Sequence, residues 1–133
     1  MTTAPNQDAA ATQWAQSELM VLPSQVHDAE VLLADLNFQV REHKRLLDEA
    51  ETDAQINAVV DGKNAETRKL QLEQAVSNNA GVLQMRGTLT GLEAQYISAE
   101  VDFNGLHRRW KSALALAELQ AAKIGYLATY KQE

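Results

Sequence analysis

An all-α fold is what this sequence predicts: a long antiparallel helical hairpin of coiled-coil type that assembles into a helical-bundle oligomer. Three observations carry it. Ala, Leu, Gln and Glu abound, while glycine (six), proline (two) and aromatics (5%) are sparse, a balance that favours helix over strand. Apolar residues recur at alternating spacings of three and four in two long stretches. Those stretches flank one strong reversal signal, Asn78-Asn79-Ala80-Gly81.

Residues 1–23 read as a mobile N-terminal arm, polar up to about residue 12 and weakly amphipathic through Trp14, Leu19 and Leu22 until Pro23 stops it. The stretch from Ala11 to Leu22 is a short helix or an ordered arm resting on the main body, or a short docking motif built around Trp14. The single helical-hairpin domain spans 24–133. Ser24 is a suitable N-cap, and Asp28 and Glu30 suit the positive end of a helix dipole. From there the seam reads Val26, Ala29, Leu33, Leu36, Val40, His43, Leu47, Ala50, Ala54, with His43 as its one polar layer. Asp61-Gly62-Lys63-Asn64 interrupts it. The seam resumes at Ala65, Leu72 and Ala75, displaced by four residues, so the first arm (24–79) is either broken near 61–64 or continuous and underwound.

After the turn at 78–81 comes the return helix, 82–130. One heptad position reads Val82, Leu89, Tyr96, Phe103, Trp110, Ala117, Ile124, and its companion Met85, Leu92, Ala99, Leu106, Ala113, Gln120, Leu127. Arms of 24–79 and 82–130 would span ~80 and ~74 Å as helix. They match, and folding them flush sets Trp110 opposite Ala50, Ala117 opposite His43, and the basic residues Arg108, Arg109 and Lys111 alongside Asp48, Glu49, Glu51 and Asp53.

Charge and motifs exclude several function classes. Acids outnumber bases 18 to 12, a net charge of −6, which disfavours non-specific binding to nucleic acid. The excess sits in residues 1–60, with ten acids against three bases. Cysteine is absent, removing disulfide scaffolds, thiolate metal sites and cysteine nucleophiles. No apolar run is long enough for a membrane span and no secretory leader opens the chain, so a cytoplasmic protein is expected. His27, His43 and His107 lack an acid three residues before them, so the helical di-metal pattern is missing. No Gly-rich phosphate loop or nucleophile elbow occurs. The expectation is therefore a non-enzymatic chain with no catalytic residues, metal or cofactor.

Two surfaces remain. Arg108, Arg109 and Lys111 around Trp110 are a possible nucleic-acid contact, with an ion-pair role the favoured alternative. Val31, Leu32, Phe38 and Leu46 on the first arm, with Ile97, Val101, Leu114, Leu116 and Leu119 on the second, fall off the seams. A two-helix hairpin has no second face to bury them, so they form a candidate partner or oligomer surface, with a homodimer favoured.

The stretch Asp61-Gly62-Lys63-Asn64-Ala65-Glu66-Thr67-Arg68-Lys69 resembles the mid-chain motif of small coiled-coil proteins encoded by tailed phages and prophages. The resemblance covers roughly residues 28–125, but only those nine residues are distinctive. It implies a phage-type accessory protein acting in the host cytoplasm, with Lys63, Asn64 and Arg68 as the matching positions. Their purely structural alternative is a helix junction capped by Asn64. A coiled-coil interaction or scaffold protein is the leading expectation. An accessory to phage DNA recombination or replication that binds single-stranded DNA or its enzymes, and an inhibitor of a host nuclease or defence protein, are the alternatives.

Overall fold

The computed structural model describes residues 3–132, and the side chains of 9–129. It holds three helices, α1 (Thr3–Ile56), α2 (Ala65–Ser77) and α3 (Ala80–Gln132), and no strand among the described residues. Two compact units divide the chain. Unit 1 takes Met1–Leu32 with Ala99–Glu133, and unit 2 takes Leu33–Ser98.

In unit 1 the start of α1 packs on the C-terminal half of α3, with Ala15, Leu22, Val26, Ala99 and Ala113 buried. Glu18 meets Arg109, and Ala11 lies beside Leu116, Leu119 and Tyr126, so the two segments run antiparallel here. This corrects two sequence expectations. Residues 3–23 are helical and continuous with the rest of α1, and Ser24 is an exposed mid-helix residue, not a cap. Met1 and Thr2 of the expected arm lie outside the described residues.

Pro23 sits inside α1, where it lacks an N–H and crowds the carbonyl of Leu19, a cost of about 3 kcal/mol. Burial on both sides offsets it. The seam runs back from Val26 through Leu22 and Leu19 to Ala15 in the same three-four rhythm, with Leu22 fully buried. Pro23 itself points to solvent.

In unit 2 the expected seam of α1 appears as read, with Leu36 and Ala54 buried and Leu33, Val40, His43, Leu47 and Ala50 half-buried. α1 then stops at Ile56, earlier than the Asp61-Gly62 signal. Asn57 and the β-branched pair Val59-Val60 are poor helix formers, and the last turn closes on a short-range bond from the Ala58 N–H to the Gln55 carbonyl. The first arm is thus broken, and 24–79 is not one helix. Asn64 caps α2 as the sequence indicates, its Oδ1 accepting from the Thr67 N–H at 2.7 Å.

The connection is fastened to α2. Gln71 Oε1 accepts from the N–H groups of Asp61 (3.2 Å) and Gly62 (3.0 Å), and Gln71 Nε2 donates to Asp61 Oδ1 at 2.6 Å. A Cβ at Gly62 would come within 2.8 Å of the Thr67 methyl, so the loop approaches α2 too closely for a larger residue. Folding back in this way brings Val76, at the end of α2, against Ala54 and Val82, with Leu47 and Ala50 packed around them. Leu72 and Ala75 are half-buried, but Ala65 is exposed and joins no seam.

The reversal falls where the sequence places it, by another device. The Asn78 N–H donates to the Gln74 carbonyl to end α2, and Asn79 Oδ1 accepts from the Val82 N–H to start α3. No residue there, Gly81 included, has positive φ. The two asparagine caps make the turn without left-handed backbone.

The seam of α3 holds from Val82 to Gln120 except at exposed Met85, with Val82, Leu89, Ala99 and Ala113 buried; Ile124 and Leu127 beyond it are exposed. The flush register does not survive. Glu51 pairs with Arg86 in unit 2 at 3.1 Å, and Arg109 pairs with Glu18 in unit 1 at 2.8 Å. The arm is shorter than expected because the connection and α2 occupy 57–77, so each position of α3 meets an earlier residue of α1.

Candidate interaction surface

Helical periodicity sets which side chains face outward, and the buried row is thin. Among the described residues only Leu22 and Val82 are large side chains buried completely. Alanines fill much of the rest, so many large apolar residues stay outside. Of the expected partner surface, unit 1 exposes Val31 (55%), Leu32 (51%), Val101 (63%) and Leu119 (62%). Leu114 and Leu116 are half-buried and contribute to packing instead. Unit 2 exposes Phe38 (67%), Ile97 (63%) and, marginally, Leu46.

A second group has no counterpart in the sequence pattern. Ile56, Val59, Leu70 and Leu83 are exposed around the α1–α2 connection and the start of α3 in unit 2. They are hidden in the sequence because a helix running through 57–64 assigns Ile56 and Val59 to its sides, where single apolar residues are unremarkable. The break at Asn57 gathers them in one unit.

The basic cluster is divided. Arg109 gives Nη2 to both carboxylate oxygens of Glu18, at 2.8 and 2.9 Å, and Glu18 is largely covered while Arg109 is half exposed. Arg108 donates Nε to the Asn104 carbonyl, and both Arg108 and Lys111 are exposed. Trp110 is half-buried, its ring edge-on to His107, which stacks on Phe103. The ladder Phe103–His107–Trp110 follows i, i+4 and i+3 spacing on one side of α3. An open groove of ≈ 750 Å³ runs past Val101, Asp102, Gly105 and Arg108 in unit 1.

The three motif positions have different surroundings. Asn64 is the α2 cap, Arg68 donates Nη1 to the Gly62 carbonyl at 3.3 Å, and Lys63 is exposed. Arg68 therefore steadies the loop backbone and pairs with no acid among the described residues. His43 donates Nδ1–H to the Gln39 carbonyl at 2.8 Å, which satisfies the polar layer within its own helix. On the outer side of α1, Arg45 bridges Glu42 (2.5 Å) and Glu49 (2.6 Å). The hydrogen bond from Arg45, opposed by slight desolvation and aided by its charge, holds the Glu42 carboxyl below its ordinary range.

No known protein family, characterised protein or solved structure matches the chain. Among the described residues no helix is long and apolar enough to cross a membrane, and no three His, Asp or Glu side chains are grouped to hold a metal ion.

Proposed function

We propose that this is a non-enzymatic interaction or scaffold protein of phage or prophage type, a coiled-coil hairpin that acts by presenting apolar side chains to a protein partner. One observation carries the reading. Nineteen large apolar side chains are exposed among the described residues, against a core of ten buried apolar residues of which four are alanines, and apolar surface on that scale marks a binding face. The phage assignment rests on the Asp61–Lys69 resemblance alone.

The test uses the outward apolar residues of unit 2. Phe38→Asp and Ile97→Asp should abolish capture of the partner from the native host's extract while helicity by circular dichroism is kept. Capture unaffected by both changes overturns the reading.

A role in phage DNA recombination or replication draws on Arg108 and Lys111, exposed at one side of α3. It is the weaker reading, because Arg109 is already engaged by Glu18 and the chain is net acidic.

A further inference from the structure

We propose that the outward side of α3 between Val101 and Tyr126, all of it in unit 1, docks antiparallel against the same side of a second copy of this chain. The proposal rests on the reading of the chain as an interaction protein and names one partner and one register for it.

The first argument is composition. Opposite the buried row of α3, heptad spacing turns outward Val101, Ser112, Ala115, Leu119 and Ala122, with half-buried Gly105 in the same row and Arg108 as the one charge among them. The outer side of a solvated helix is ordinarily charged. α1 obeys that rule, carrying Asp28, Asp35, Glu42 and Glu49 in one row at seven-residue intervals. α3 does not. Gly105 weakens the helix interior relative to alanine, yet a Cβ placed there would meet nothing within 4 Å. Its own chain gives no reason for the missing side chain. A second helix approaching closely does.

The second argument is charge complementarity. A two-fold axis passing between Ser112 and Ala115 sets Ser112 against Ala115, Arg108 against Leu119, Gly105 against Ala122 and Val101 against Tyr126 of the second copy. Two layers bring small residues together, Ser112 with Ala115 and Gly105 with Ala122, and let the helices approach closely; the layers between and beyond them pair larger side chains. Val101 meets the groove that Leu119 and Ala122 line with Ala11 and Leu116 at the rim of the α1 contact.

In the positions flanking those layers the same axis brings Lys111 opposite Glu118, twice by symmetry. The stem of Arg108 lies over Leu119 with its guanidinium beside Glu118. Lys111 and Glu118 are two turns apart on one helix, too far to pair within it. A parallel arrangement would set Arg108 against Arg108.

Residues 101–126 span ~39 Å of helix, a contact below the standard size for tight complexes, so the dimer is weak and depends on concentration. Sedimentation equilibrium of the full chain at low to high micromolar concentration should show a mass rising from 14.7 kDa towards twice that. Lys111→Glu and Glu118→Lys each put like charges together at two places and should weaken association about tenfold or more. The double reversal K111E/E118K should restore it, with helicity unchanged throughout.

A monomer at every concentration overturns the proposal. So does association that ignores the single reversals, or a double reversal no better than either single one. Loss of self-association with host capture still dependent on Phe38 and Ile97 refutes this docking alone, and leaves the interaction function standing.

Discussion

Single residues carry the sharpest tests of register. A double-mutant cycle on Glu18→Gln and Arg109→Gln should return a coupling of about 0.5–1 kcal/mol by urea denaturation, since the pair is half exposed and screened. Arg108→Gln should leave stability unchanged. No coupling between Glu18 and Arg109 would refute the register in unit 1. Gln71→Ala removes three hydrogen bonds to the connection at once. It should cost about 1–2 kcal/mol and speed hydrogen exchange at the Asp61 and Gly62 amides ahead of the rest of unit 2. The sign of the pH effect is set by Glu42, whose folded carboxyl titrates below its unfolded value because Arg45 hydrogen-bonds to it. Its contribution is present above that value and lost as pH falls through the lowered one. Arg45→Gln should therefore lower the melting temperature slightly at neutral pH and not at all once both forms are protonated.

At the scale of elements, Pro23 is the informative residue. If α1 is continuous, Pro23→Ala restores a helical hydrogen bond and should raise stability by up to about 3 kcal/mol. A helix broken at that point would gain nothing. The seams were legible because heptad spacing depends only on residues within one helix: every α1 position from Val26 to Ala54 is buried or half-buried as read, and α3 holds to Gln120 apart from Met85. What could not be read was each place where tertiary burial overrides a local signal. Pro23 is a helix breaker by propensity, and only the packing of Ala15 and Leu22 keeps the helix running. The break at Asn57 carries no Gly or Pro, and the bonds from Gln71 that fix it are ten residues distant in sequence. Of the candidate surface, exposure at Phe38, Ile97, Val101 and Leu119 was legible from phase. The burial of Leu114 and Leu116 was not, because it depends on what packs beside α3.

For the whole molecule, the competing nucleic-acid reading is settled by salt. The native protein should bind labelled single-stranded or duplex DNA only in the weak, non-specific range at physiological salt, given its net charge of −6. Changing Arg108, Arg109 and Lys111 together to Gln should then alter little. Tight native binding that collapses in the triple variant, at unchanged melting temperature, would reinstate the DNA role. The division into two units has a spectroscopic consequence. Both tryptophans, Trp14 and Trp110, belong to unit 1, and the one tyrosine of unit 2 is Tyr96. Intrinsic tryptophan emission is therefore a private reporter of unit 1, blind to the connection, α2 and everything around them. Far-ultraviolet dichroism averages the helices of both. If the two signals melt at different temperatures, the units unfold as separate cooperative blocks, and the earlier or later emission change says which of them yields first.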